Sequence, residues 1–369
     1  MARLTAISGV GGKLPAAFLL EIEGKRLMLD LGEGPEPGVF PAVEGIGAVD
    51  AICLTHAHMD HAGALHLAED LGNPPIYATQ ATFDNLGALA PAATRRRILP
   101  VNGPAEIAGV TVSLGRCGHA PGGVWFHFAH AGGILYTGDW SVESALLPFD
   151  PPPPAHLLVT DASYGDRDTS LTDQIDAIAR MAAAGAVLPV PGGGRGPEMI
   201  VALAARGLQP RACPQIGREM QALAEDSRSV DAGGRQAMRN FLANPVDGDW
   251  RPTDVIVATE ANAQAGLSAT LLRRLEEGFR FIFTSHVPRN TPAHRLLASG
   301  RADWLPWNVH PRRQDVLDLA DRTGASRIMA AFVDPDAMPQ LGESLGKRLI
   351  TDRTITLSPV AGHSNGQDS

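Results

Sequence analysis

Four metal-donor side chains stand within six positions at His56-x-His58-x-Asp60-His61, directly after the apolar run Ala51-Ile52-Cys53-Leu54-Thr55. No single helix turns four such side chains toward one point, whereas a loop leaving the end of a strand can aim them into a shared cleft. The run that precedes them is apolar at almost every position, as in a strand covered on both faces within a layered, parallel sheet. Neutral imidazole nitrogens suit zinc, and so does one carboxylate oxygen. A lone histidine is ordinarily structural, but four donors at this spacing point to a metal site at the end of a buried strand.

Strand-like runs and glycine-rich turns surround this loop. Gly24-Lys25 separates two such runs, 18–22 and 26–30, as a hairpin turn does. Others stand at 76–79, 110–114, 124–129, 133–137 and 157–160. The pattern changes after Arg167. Residues 169–184 carry Leu171, Ile175, Ile178 and Met181 at three- and four-residue intervals, the spacing of an amphipathic helix. Helical runs at 198–205 and 267–277 then alternate with strand-like runs at 187–191, 254–259 and 280–284, which predicts a small parallel α/β lobe. A helix at 315–322 and a strand at 327–333 follow. The expected division is a core of residues 1–165 and 286–361, a lobe inserted at 166–285, and a disordered polar tail at 362–369.

Composition narrows the class. At 369 residues, 44% hydrophobic and 19% charged, the chain is globular, with room for two domains or one large domain carrying an insertion. A net charge of −9 weighs against a non-specific nucleic-acid binder, since phosphates are held chiefly by Lys and Arg, yet it leaves room for a local basic groove. Cys53, Cys117 and Cys213 are too far apart for a cysteine zinc site or a disulfide framework. No apolar run long enough to span a membrane occurs, and no secretory leader pattern, so the expected compartment is the cytoplasm. A homo-oligomer is compatible with all of this.

HAHMDHAG resembles the HxHxDH signature of the metallo-β-lactamase superfamily, and further motifs follow in the same order. Asp30 in LMLDLGEG resembles the family's early aspartate behind the metal ligands. Gly118-His119-Ala120-Pro121-Gly122 is similar to its GHxPG turn, and Thr137-Gly138-Asp139 to its TGD motif. The resemblance implies an αββα sandwich and two divalent metal ions, zinc first and manganese second. By it, His56, His58 and His119 would hold one ion, Asp60 and His61 the other, with Asp139 between them. Two ions that close would lower the pKa of a bridging water and neutralise a developing oxyanion, which is hydrolysis. Asp60 would orient that water or take its proton.

The second half resembles the β-CASP subfamily of nucleases. Thr160-Asp161-Ala162-Ser163-Tyr164-Gly165-Asp166-Arg167 is similar to its acidic ESTYGDR-type motif, VLPVPGGGRGPEMIVA at 187–202 to its GRxQEL segment, and Trp307-Asn308-Val309-His310-Pro311 to its SAHAD motif. The resemblance implies that Asp161 is a functional acid, that His310 assists the leaving group, and that Ser163 and Arg195 contact substrate, which would be RNA or DNA. Gly192–Gly196 could also cradle a phosphate with backbone N–H groups, although a tight turn accounts for it equally well. Two departures stand out. The family's last histidine falls at Phe332, which cannot bind metal, and the inserted lobe is short. A small-molecule hydrolase of the same fold, such as a thioesterase or lactonase, and a non-catalytic scaffold subunit are the competing expectations.

Overall fold

The computed structural model describes residues 1–244 and 248–358; the tail expected at 362–369 lies outside the described residues. The opening hairpin pairs antiparallel with Phe18 opposite Leu29 and Ile22 opposite Lys25. The chain then returns as the strand Ala51–Cys53, parallel to Lys25–Leu29. This strand is shorter than its apolar run. Thr55 is drawn away from the ladder, because its N–H and hydroxyl both donate to the Asp30 carboxylate, at 2.7 and 2.8 Å.

Among the described residues the strands build two large sheets and two small ones. The first large sheet has seven strands in the order Thr354–Leu357, Ala2–Ser8, Ala17–Ile22, Lys25–Leu29, Ala51–Cys53, Ile76–Thr79, Arg96–Leu99. The second has six, in the order Arg327–Ala331, Leu157–Asp161, Ile134–Tyr136, Val124–Phe128, Val110–Arg116, Gly103–Ile107. Alternation along the strands sorts their side chains between layers. Leu27, Leu29 and Cys53 of the first sheet meet Phe126, Tyr136, Val159 and Met329 of the second in the central core. Met28 and Ile52 face the other way, onto Ala62, Leu65 and Phe83 of the segments that cover the first sheet. Leu158 and Ile328 likewise face Val316, Leu319 and Leu341 of the helices Arg313–Thr323 and Pro339–Leu345. Each fully buried Leu or Ile contributes about 1.5–3 kcal/mol. The outcome is the αββα sandwich expected.

The inserted segment has its own apolar cluster and a three-stranded parallel sheet, Ala186–Pro189, Val255–Ala258 and Pro210–Ala212, with Val255–Ala258 in the middle. Its first helix, Leu171–Ala182, begins at Ser170, whose hydroxyl accepts the Asp173 N–H, and it buries Leu171, Ile175, Ile178 and Ala182. The helices Pro214–Glu225 and Ala232–Leu242 were not anticipated. A return to the core at 286 falls early. Ala293, Leu296 and Trp307 still pack in the inserted cluster, because Asp303–Trp304 pairs with Ile282–Phe283. The core resumes with Arg313–Thr323.

Candidate metal centre

The donors gather at strand ends. His56, His58, Asp60 and His61 follow Ala51–Cys53, Asp139 follows Ile134–Tyr136, and Asp161 closes Leu157–Asp161. These strands lie in the parallel parts of the two sheets, and donors from both sheets fall within one cluster, so their C-terminal ends meet where ligand sites of α/β sheets form. Two turns need glycine. Gly118 (φ +70°) leads into His119, and a Cβ there would lie 2.0 Å from the Ser141 carbonyl oxygen. Gly138 (φ +53°) precedes Asp139, and its Cβ would lie 2.6 Å from Thr55 Oγ1. The GH and GD pairs of the motifs therefore reflect backbone packed too closely for any side chain.

Three imidazoles converge. His56 Nε2 lies 3.1 Å and His119 Nε2 3.0 Å from His58 Nδ1. Asp139 Oδ2 stands 3.8 Å from His56 Nε2 and 3.5 Å from His119 Nε2. A tetrahedral ion with bonds of about 2.0–2.1 Å separates its ligands by roughly 3.3 Å, so this donor set fits such an ion. The outward nitrogens are engaged: His56 Nδ1 lies 3.1 Å from Thr55 Oγ1, and His119 Nδ1 2.6 Å from the Val309 carbonyl. Burial, reinforced by the neighbouring imidazoles, holds His56 and His119 well below the ordinary histidine pKa. Burial lowers His58 as well, against the pull of Asp60 and Asp139. Neutral imidazole is the form that coordinates metal.

A second donor set, Asp60, His61 and Asp139, adjoins the first through Asp139. His61 is held at both ends, with Nδ1 2.8 Å from Asp30 Oδ2 and Nε2 3.1 Å from Asp139 Oδ1. Asp30 is fully buried and also accepts the Tyr136 hydroxyl at 2.7 Å, beside its two bonds from Thr55. It thereby fixes the His61 ring so that Nε2 faces the cluster. Burial alone would push the His61 imidazolium down, but Asp139 and Asp30 outweigh it and hold the ring well above its ordinary value. Phe332 stands beside this set, its ring centroid 5.1 Å from that of His61, on a left-handed backbone with φ +63°.

His310 Nδ1 lies 2.8 Å from Asp161 Oδ2 and 3.5 Å from Asp139 Oδ2. Burial works against its imidazolium, while the carboxylates of Asp161 and Asp139 raise it above the ordinary value. His310 stands ahead of the helix Arg313–Thr323 rather than in its first turn. Asp161, not a row of helical N–H groups, sets its direction. The Tyr164 hydroxyl accepts the Val309 N–H at 2.9 Å, and the tyrosine ring lies edge-on to His310 with centroids 5.1 Å apart.

These groups line a cleft of about 590 Å³ whose walls come from both the sandwich and the inserted segment. Arg195 and Ser163 lie in it with His58, Asp60, His119, Asp139 and His310. The Ser163 N–H donates to Asp161 Oδ1 at 2.8 Å. Of the two readings of the glycine turn, the tight turn fits better than the phosphate nest, since the N–H groups of Gly193 and Gly194 both donate to the Glu219 carboxylate. His286 also lines the cleft, with its imidazolium lowered by burial. His66, His127, His130, His156 and His294 belong to no donor set among the described residues. Lys13, Tyr164, Arg167 and Trp304 line the cleft too, and the sequence reading gave them no role. Tyr164 and Arg167 stood within a motif already quoted. Lys13 and Trp304 carried no local signal.

The family model of the metallo-β-lactamase superfamily matches residues 10–192. A ribonuclease of Thermus thermophilus is 33% identical over 41% of this chain and 41% of its own length. A transcription termination factor of Methanosarcina mazei is 27% identical over 44% of this chain and 32% of its own length. An RNase of Saccharolobus solfataricus is 26% identical over 86% of this chain and 74% of its own. The chain thus spans well under half of the first two relatives. A solved structure of a protein of unknown function from Enterococcus faecalis shares the fold, with a TM-score of 0.60 at 14% identity over 96% of this chain and 99% of that one. No helix among the described residues is long and apolar enough to cross a membrane. Residues 10–192 thus match the metallo-β-lactamase superfamily, and the ribonucleases and RNA-processing factors among the relatives support the β-CASP group within it.

Proposed function

We propose that this chain is a metal-dependent phosphodiesterase acting on RNA or DNA, with the relatives' names favouring RNA. The observation that carries the reading is His310, paired with the buried Asp161 carboxylate and placed 3.5 Å from Asp139. Hydrolysis of a diester needs an acid beside the leaving oxygen as well as an activated water, and this pair provides the acid. His56, His58, His119 and Asp139 would hold one divalent ion, and Asp60, His61 and Asp139 a second, with zinc preferred and manganese the alternative. When bound, such ions lower the pKa of coordinated water and neutralise charge on the phosphoryl oxygens. Asp60 orients that water or takes its proton. His310 protonates the departing oxygen, Asp161 keeps its ring directed and basic, and Ser163 and Arg195 bind the substrate strand. The cleft lies between two lobes, the sandwich and the inserted segment. Three buried free cysteines accord with a reducing compartment, and we place the protein in the cytoplasm.

The wild-type protein is expected to cleave single-stranded RNA, single-stranded DNA or a synthetic phosphodiester, and to leave a thioester and a lactone intact under the same conditions. Turnover of the thioester or lactone with none of any phosphodiester would replace this reading with a small-molecule hydrolase.

With Phe332 beside it, the second donor set has no further nitrogen among the described residues. A chelator titration should therefore remove one equivalent of metal well before the other. Phe332→His adds an imidazole at a left-handed position that histidine tolerates better than phenylalanine. It should bring the two release steps together. A wild type that loses both equivalents in a single step would refute the unequal pair.

A further inference from the structure

An exposed tryptophan is unremarkable when it stands alone on a surface, but Trp304 lines the wall of the metal cleft and is held in place there. It is 46% exposed. Its strand is anchored on both sides, since Asp303 N–H donates to the Phe281 carbonyl and Leu305 N–H to the Phe283 carbonyl, both at 3.0 Å. The indole Nε1 donates to the Ser285 carbonyl at 3.0 Å. A half-exposed ring whose only donor is already engaged can offer its apolar surface to the cleft as a platform.

Ser285 has a second role. Its hydroxyl accepts from Arg195 Nη1 at 2.9 Å, so one residue positions the indole with its carbonyl and the guanidinium with its side chain. Arg195 is a half-buried cation whose buried Nε has no hydrogen-bond partner among the described residues, and the same holds for Arg167 Nε. Arg167 stacks on Tyr164 with its guanidinium carbon 3.4 Å from the ring centroid, and Tyr164 in turn meets His310. Both guanidinium groups line the cleft that holds Asp139 and His310. Buried donors left without acceptors are costly unless a ligand supplies the acceptors. Planar guanidinium groups match phosphate oxygens in pairs.

We propose that the cleft binds one whole nucleotide beside the scissile bond, with its base stacked on Trp304 and its neighbouring phosphate held by Arg195 and Arg167. The proposal rests on the phosphodiesterase reading and sharpens it. The substrate is a polynucleotide, since an isolated small diester carries neither the stacked base nor the second phosphate. Stacking accepts any base, because every base has a π face, so little sequence preference follows at this subsite. The cleft volume of about 590 Å³ leaves room for a nucleotide next to the donor groups.

The test uses the full chain loaded with metal and three single-stranded oligonucleotides: one unmodified, one with abasic sites flanking the cut, and one with a neutral methylphosphonate linkage next to it. Trp304→Ala should raise KM for the unmodified oligonucleotide roughly 5- to 150-fold, the usual worth of one stacked base. Trp304→Phe should keep most of the affinity. It should also abolish most of the quenching of protein fluorescence by bound oligonucleotide, since the other four tryptophans are buried or half-buried. On the abasic substrate, wild type and Trp304→Ala should converge. Arg195→Gln should raise KM on the unmodified oligonucleotide and converge with wild type on the methylphosphonate. A wild type that cuts the oligonucleotide while Trp304→Ala matches it in KM overturns the subsite and leaves the phosphodiesterase reading standing. A wild type that cuts no phosphodiester overturns both.

Discussion

Asp139→Ala is expected to empty both halves of the metal centre at once and to lower kcat/KM by roughly 10³-fold or more. Among the described residues, Asp139 is the one residue common to three donor groups: the two sets above and a third that it forms with Asp161 and His310. One of its oxygens lies 3.1 Å from His61 Nε2, and the other 3.5 Å from both His119 Nε2 and His310 Nδ1. With its side chain only 3% exposed, solvent does not readily substitute for it. Polarisation of a phosphoryl oxygen and activation of water by bound metal are worth several kcal/mol, and each 1.36 kcal/mol is tenfold in rate. The measurement that checks this is elemental analysis of purified protein, beside turnover of an oligonucleotide. The wild type should carry about two equivalents of divalent metal per chain, and Asp139→Ala less than one. His58→Ala serves as the contrast, because His58 belongs to the first donor set only and its loss should spare the Asp60 and His61 side. Metal bound to the folded state alone also raises stability by mass action, so added zinc should raise Tm far less in Asp139→Ala than in wild type. A variant that keeps both equivalents would show that Asp139 does not join the two sites.

Much of this centre was legible because its information is local. His56, His58, Asp60 and His61 are contiguous, and the apolar run before them announces the buried strand that delivers them. The turns around Gly118 and Gly138 were readable as motifs, and the structure supplies their cause, a carbonyl oxygen and a threonine side chain where a Cβ would stand. Asp161 and His310 lie 149 positions apart, and only the resemblance, not any periodicity, linked them before the fold did. What escaped depends on contacts between distant segments. The strand Thr354–Leu357 pairs with Ala2–Ser8, and neither stood out, since an edge strand with alternating exposure needs a partner to define it. The glycine turn at 192–194 invited a phosphate because nothing nearby in sequence reveals that Glu219, on the helix Pro214–Glu225, already accepts the N–H groups of Gly193 and Gly194. The inserted segment ends later than its strand pattern suggests, because a two-residue pairing at Asp303–Trp304 is too short to leave a periodic signal.

His310→Ala is expected to lower kcat by roughly 10²–10⁴-fold while raising KM little, the loss that follows removal of a positioned acid. Asp161→Asn should cost less, about 10- to 100-fold, the usual worth of a group that orients another through a hydrogen bond. The asparagine keeps the volume and one acceptor oxygen but removes the charge 2.8 Å from His310 Nδ1. Asp161 is fully buried in a strand end and its other oxygen accepts the Ser163 N–H, so the amide is a gentler change than truncation. Combining the two substitutions separates their roles. If Asp161 acts through His310, the pair should be no slower than His310→Ala alone, because the imidazole that Asp161 positions is already gone. If Asp161 instead holds a metal ion, as its presence in a donor group with Asp139 and His310 permits, the losses should multiply and the metal content should fall. Single-turnover rates and metal per chain for the wild type, both single variants and the double variant decide between these. Multiplied losses with depleted metal would move Asp161 from the acid's partner to the metal's. A double variant equal to His310→Ala, with both equivalents of metal retained, assigns it to the imidazole.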